Sequence, residues 1–143
     1  MFGRFANSQT GHLADIIRPT LSHDLDYEGE LAVIIGKPGR HIARADAWSH
    51  IAGYACYNEG SVRDFQRHTH QFTPGKNFPN TGAFGPWMVT ADEVPPGGKG
   101  LKIQTRLNGQ VMQSDNTDNM MFPVAETLVY VTQGMTLEPG DVI

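Results

Sequence analysis

The sequence predicts an α+β fold, β-rich, and three observations carry that expectation. Sixteen glycines and nine prolines in 143 residues call for many turns and short strands, because both residues punctuate regular structure. Leu101 to Leu107 alternates apolar and polar side chains and runs directly into Asn108-Gly109, the pair that best tolerates the positive φ angles of a tight hairpin. Helical signals are confined to two short stretches, around 43–51 and 122–131. A chain of this length buries one core, so a single domain over 1–143 is expected. With a hydrophobic share of 39% that core is modest, and pairing with a second copy would help it.

The elements follow in order. Residues 1 to 25 show little periodicity, with Ile16-Ile17-Arg18-Pro19 as a short edge strand, since proline suits an edge. A strand over 28–35 ends at the turn Gly36-Lys37-Pro38-Gly39. Alanine-rich Ala43 to Ile51 predicts one short helix, with Asp46 as its cap or in its first turn and Gly53 as its stop. Tyr54 to Asn58 has the aromatic content of a second strand. Residues 59 to 82 are polar and aperiodic, and in a compact domain such a stretch is more often functional than a mere connector. Gly85 to Thr90 reads as a strand entry, Pro95 to Gly98 as a break, and Val111-Met112-Gln113 as the return strand of the hairpin. Apolar residues at 124, 125, 128, 129 and 131 predict a helix over 122–131. Glu138-Pro139-Gly140-Asp141 is a turn, and Val142-Ile143 looks like the first step of a strand, so the chain reads as truncated.

Charge and cysteine usage exclude several classes. The net charge of −4 is spread among well-mixed acidic and basic residues, which argues against a nucleic-acid surface. Cys56 is the single cysteine, so neither an internal disulfide nor a cysteine zinc site is expected, and a reducing compartment fits. No signal-like or membrane-length apolar stretch is present, which gives cytoplasmic as the expectation and no membrane partner. There is no glycine-rich phosphate loop and no Gly-x-Ser-x-Gly elbow, and Ser61 has no base at a diagnostic spacing.

The chemistry concentrates at Glu28 and Glu30. Residues i and i+2 of a strand share a face, so both carboxylates project together beside the apolar run Leu31 to Ile35. Charges enter such surroundings only when something positive meets them. The pair therefore points to a hard divalent cation, with Glu59, which closes the second strand beside a glycine, as the nearest third ligand in motif terms. A hydrated sheet face is the alternative. A second constellation, Arg63, Asp64, Gln66, His68, His70 and Lys76, suits a small carboxylate or keto acid. Arg63 and Gln66 share a face if that segment makes a helical turn. His68-x-His70 would ligate a metal only if extended, and no third ligand lies nearby. Each of these side chains taken alone also fits a solvated loop.

Asp26-Tyr27-Glu28-Gly29-Glu30-Leu31-Ala32-Val33-Ile34-Ile35-Gly36 resembles the signature strand of the fumarylacetoacetate hydrolase family. So do Tyr57 to Gln66, Pro74 to Phe78, Gly85 to Trp87, Asn108 to Gln113 and Gly134 to Ile143, in family order and over nearly the whole chain. The resemblance implies a mixed β-sandwich roll that forms a homodimer. It implies an enzyme dependent on magnesium or manganese, with calcium also admissible, acting on 2-oxo acids or acylpyruvates by C–C hydrolysis, decarboxylation, hydration or isomerisation. Glu28, Glu30 and Glu59 would be the metal ligands. The family usually has aspartate where Glu59 stands, which moves the carboxylate by about one C–C bond, ~1.5 Å. Arg63, Gln66 and Lys76 match positions that bind the oxo and carboxylate oxygens of the substrate and stabilise developing negative charge.

Two family segments have no counterpart here: an upstream lid bearing the histidine and glutamate that activate water, and a downstream Thr-Gly-Thr-Pro segment. His12 sits in no matching motif. Decarboxylation or tautomerisation asks less of an activated water than hydrolysis does, so those roles are favoured. The rival reading is a truncated paralogue that keeps the fold and binds metal or ligand without turnover. A third is a structural partner completing its pocket with another chain.

Overall fold

The computed structural model describes residues 1–143, which divide into two compact units: Met1–Glu30 with Cys56–Trp87, and Leu31–Ala55 with Met88–Ile143. Two long strands, β3 and β4 below, contribute residues to both.

In the first unit a short 3-10 turn at Ala6–Ser8 leads into β1 (Gln9–Gly11). Next come β2 (Leu25–Asp26) and the opening of β3 (Gly29–Ile35). The end of β4 (Ile51–Glu59) is followed by β5 (Ser61–Val62), two single-turn helices, α1 (Arg63–Gln66) and α2 (Thr73–Lys76), and β6 (Gly82–Phe84). β1 runs parallel to β6, pairing Gln9 with Gly82. β6 runs antiparallel to β4, pairing Gly82 with Glu59. β2 pairs antiparallel with β5, Asp26 opposite Ser61. The expected edge strand at Ile16 to Pro19 is absent, and Ile17 is exposed. The N-terminal strand lies instead at β1, whose partner is more than seventy residues away, so no local periodicity marks it.

In the second unit β3 ends at Ile35, and Arg44–His50 forms a seven-residue 3-10 helix with Asp46 in its first turn. The chain is already extended at Ile51. Gly53 therefore does not stop the helix; it lies inside β4, opposite Thr90 of β7 (Val89–Thr90). The predicted strand entry is divided: β6 and β7 flank a cis Gly85–Pro86 bond. β8 (Lys102–Leu107) and β9 (Gln110–Asn116) make the hairpin read from the sequence, with Asn108 and Gly109 both at positive φ.

Helix α3 (Val124–Gly134) starts after Pro123 rather than at Phe122 and runs three residues past Val131. Proline has no N–H to give and is tolerated at such a start. The core of this unit gathers Val33, Ile35, Ile51 and Tyr54 against Val124, Leu128 and Val131 of α3, with Leu128 and Ile35 fully enclosed. Val142 bridges to Ile34, and Ile143 exchanges backbone hydrogen bonds with Val33, so the final residues do pair along β3. No helix is long and apolar enough to cross a membrane.

Candidate metal centre

Glu28 and Glu30 flank Gly29 where β3 begins, and Glu59 closes β4. Two backbone hydrogen bonds tie these strand ends together: Glu28 N donates to Glu59 O at 3.1 Å, and Glu59 N to Glu28 O at 2.8 Å. Residues directly opposite in such a pair present their side chains on one face. The result is a cluster in which one ligand atom from each of Glu28, Glu30 and Glu59 lies within 4.8 Å of the others. Glu59 is buried, and Glu28 and Glu30 are partly buried. Gly60 makes the tight passage after Glu59 possible: its N–H donates to Thr81 O at 2.8 Å, and a Cβ there would stand 2.3 Å from that oxygen.

Three cations enter the cluster. Lys76, at the end of α2 and only 2% exposed, places Nζ 2.9 Å from Glu28 Oε2 and 2.7 Å from Glu59 Oε2. Arg63, opening α1, donates through Nε and Nη2 to Asp26 Oδ2 at 3.0 and 2.8 Å, and through Nη1 to Gln66 Oε1 at 2.9 Å. Its Nη1 also pairs with Glu28 Oε1. Arg4 Nη1 lies 3.3 Å from Glu59 Oε1. Helix α2 comes this close to α1 because residue 75 is glycine; a Cβ would meet Gln66 N at 2.5 Å.

The structure thus joins Glu28, Glu30, Glu59, Arg63, Gln66 and Lys76, with one difference from the sequence expectation. Arg63 and Lys76 do not stand apart from the carboxylates as a separate anion-binding loop; they are ion-paired to them. Close carboxylates repel strongly when partly shielded from water, and these are the nearest compensating charges. Asp64 turns elsewhere and accepts a hydrogen bond from Ser22 Oγ at 2.8 Å. His68 and His70 are exposed and join no third ligand; His68 lies against the Phe65 ring, centroids 4.7 Å apart.

Two site residues escaped sequence reasoning. Asp26 carried a usable signal, since it alternates with Glu28 and Glu30. Arg4 carried none, lying fifty-five residues from Glu59 in an aperiodic segment.

Protonation follows from these partners. Burial raises the Glu28 carboxyl, but hydrogen bonding and attraction from Lys76, then Arg63, outweigh it and hold the group below its ordinary value. Asp26 behaves alike: burial pushes it up, and the Arg63 hydrogen bond leads the effects that bring it down. Glu30 has no ion pair within 4.0 Å. Loss of water around it, followed by the negative charges of Glu59 and Glu28, pushes its carboxyl up to about 7.

The donor set fits a hard dication. All three candidate ligands are carboxylate oxygens, the preference of magnesium, manganese and calcium, with no soft sulfur ligand among them. Asp26, Glu28, Glu30 and Glu59 face Arg4, Arg63 and Lys76, which leaves one negative charge uncompensated. Glu30 answers it by keeping its proton to about neutral pH. A dication in that place would turn the balance to one positive charge, which suits an anionic ligand.

A sheet-borne triad of carboxylates, flanked by arginine and lysine on short helices, defines a class of candidate hard-metal sites for small anions. The chain belongs to the fumarylacetoacetate hydrolase family, because the model of the family's C-terminal domain, "Fumarylacetoacetate (FAA) hydrolase C-terminal", matches residues 1–143. It is 43% identical over 145 residues to the mitochondrial oxaloacetate tautomerase FAHD2A of Bos taurus, covering 100% of this chain and 46% of that protein. It is 40% identical over 136 residues to the oxaloacetate tautomerase YisK of Bacillus subtilis (strain 168), covering 94% and 44%. Among solved structures, the fumarylacetoacetate hydrolase of the psychrophilic Exiguobacterium antarcticum superposes with a TM-score of 0.90 at 41% identity, over 96% of this chain and 49% of that one. The chain therefore spans about half the length of the curated relatives it matches.

Proposed function

We propose that this chain carries the metal and substrate site of an enzyme that interconverts keto and enol forms of a short 2-oxo acid, with a 2-oxo dicarboxylate as its substrate class. The observation that carries the reading is the meeting of Glu28, Glu30 and Glu59 within 4.8 Å, bordered by Lys76 and Arg63. The names of the Bos taurus and Bacillus subtilis relatives support the choice of reaction.

Glu28, Glu30 and Glu59 would hold magnesium or manganese, which when bound supplies Lewis acidity toward the oxo oxygen. Arg63 is the group best shaped for a substrate carboxylate, because its planar fork offers several donors in fixed directions. Gln66 gives its carbonyl oxygen to Arg63, which leaves its amide nitrogen free to donate to a substrate oxygen. Lys76 Nζ, beside Glu28 and Glu59, is placed to stabilise negative charge developing on the enolate oxygen. Tautomerisation moves one proton between carbon and oxygen and consumes no water: enol to keto needs a proton delivered at carbon and one taken from the enol oxygen, and keto to enol the reverse.

The test is the decay of the oxaloacetate enol absorbance with purified protein and Mn2+, against Mn2+ alone and against Glu30→Gln. Protein-dependent decay that Glu30→Gln abolishes is the expected result. Decay no faster than with Mn2+ alone would remove the tautomerase reading. Mn2+ binding without turnover of oxaloacetate or an acylpyruvate would instead favour a binding role.

A further inference from the structure

Arg4 has no counterpart in the reading above, yet four hydrogen bonds from its two terminal nitrogens hold it at the edge of the cluster. Its side chain is 10% exposed. Nη1 donates to Glu59 Oε1 and to Gly60 O, each at 3.3 Å, while Nη2 donates to Thr81 Oγ1 at 2.9 Å and to Ser8 O at 3.4 Å. The guanidinium also lies 5.8 Å from the centre of the Tyr57 ring, and the Tyr57 hydroxyl is fixed by donating to Gln9 Oε1 at 2.8 Å. Every partner except Glu59 is backbone, a fully buried threonine or a pinned aromatic ring, so the guanidinium itself is held in place.

Glu59 needs such support. A glutamate has one more rotatable bond than an aspartate, and ordering long side chains costs conformational freedom. Its two oxygens are divided between cations: Oε2 faces Lys76 at 2.7 Å and Oε1 faces Arg4. Lys76 is also shared with Glu28, and alone it would leave the Glu59 carboxylate free to rotate about one contact. With Arg4 on the other oxygen, the plane of the carboxylate is set.

We propose that Arg4 is a positioning residue for Glu59, fixing the orientation in which that carboxylate meets a divalent cation shared with Glu28 and Glu30. The inference rests on the metal reading of the site. It makes a prediction opposite in sign to simple electrostatics. A positive charge near a cation site repels the cation, so neutralising Arg4 would tighten metal binding if charge were its only effect. If Arg4 positions the ligand, the same change loosens binding, on the scale of about tenfold that supporting residues around metal ligands commonly contribute.

The experiment is Mn2+ titration by calorimetry of the unaltered chain, Arg4→Met, Arg4→Lys, Glu59→Asp and the Arg4→Met/Glu59→Asp double variant. Weaker binding by about tenfold in Arg4→Met is expected. Arg4→Lys should also bind more weakly, because a compact ammonium cannot stand at both the Nη1 position beside Glu59 and Gly60 and the Nη2 position beside Thr81. Arg4→Lys decides the matter if Arg4→Met does not fold. In the Glu59→Asp background the carboxylate is drawn back from Arg4, so Arg4→Met should have little further effect; a purely structural role would persist there. Equal or tighter Mn2+ binding in the Arg4 variants overturns the proposal while leaving the metal site intact. No Mn2+ binding by the unaltered chain overturns both.

Discussion

Lys76 Nζ stands 2.7 Å from Glu59 Oε2, with the two residues only 2% and 5% exposed. An ion pair so enclosed contributes little net stability while whole but costs much when one member is lost. Lys76→Met should therefore destabilise the chain by about 3–5 kcal/mol. Saturating Mn2+ should recover more stability in this variant than in the unaltered chain, because it compensates the same carboxylates. Urea melts with chelator and with Mn2+ measure both quantities; an equal gain in the two proteins would count against the shared-carboxylate picture.

Glu30 gives a pH dependence whose sign is fixed by linkage. Its carboxyl titrates at about 7 in the folded chain against 4.5 as the reference value. Between those values the folded chain holds a proton that the unfolded chain has released. Glu30 thus lowers stability progressively as pH rises from 4.5 to about 7, and its effect is level outside that window. Glu30→Gln should flatten this part of the metal-free stability profile, as denaturant melts across the window would show. An unchanged slope would place the titration elsewhere.

Arg63 binds Asp26 through Nε and Nη2 and both Glu28 and Gln66 through Nη1, a fork that lysine cannot reproduce. Arg63→Lys is expected to lower kcat/KM on oxaloacetate by about 10²-fold, the lower end of what loss of a preorganised donor costs. The melting temperature should move less than in Lys76→Met, since Arg63 is more exposed than Lys76. Steady-state kinetics beside thermal melts would separate the two effects.

Gly75 is a steric gate between α2 and α1. Gly75→Ala puts a methyl group 2.5–2.6 Å from Gln66 backbone and Cβ atoms, so the helices must separate. A loss of about 1–3 kcal/mol is expected from such overpacking. KM should rise as Gln66 moves. A variant with normal KM would mean that Gln66 does not meet the substrate.

The sequence made some of this legible because the signals were local. The carboxylate pair at 28 and 30 follows from strand alternation, the hairpin from Asn108-Gly109, and the Arg63–Gln66 contact from helical spacing. Glu59 and Lys76 stood out as a third carboxylate and a loop cation, and the family-like blocks gave them roles. What escaped it was non-local. β1 exists because it meets β6, and Arg4 reaches Glu59 because that pairing brings residues 4–11 beside 57–60 and 81–84. The helix expected to stop at Gly53 gave way to a strand at Ile51, since pairing with β7 outweighs the local glycine signal. Charge compensation inside the cluster was also invisible from spacing, because it depends on which side chains arrive within a few ångströms.

The same compensation bears on how the proposed metal site would be loaded. Domains built around a bare set of metal ligands unfold when the metal is stripped, since nothing else balances those ligands. Here Lys76, Arg63 and Arg4 balance the carboxylates by their own ion pairs. On the proposed metal reading, folding would precede loading, the cation would exchange from an intact scaffold, and a chelator would silence the site without dismantling the protein around it.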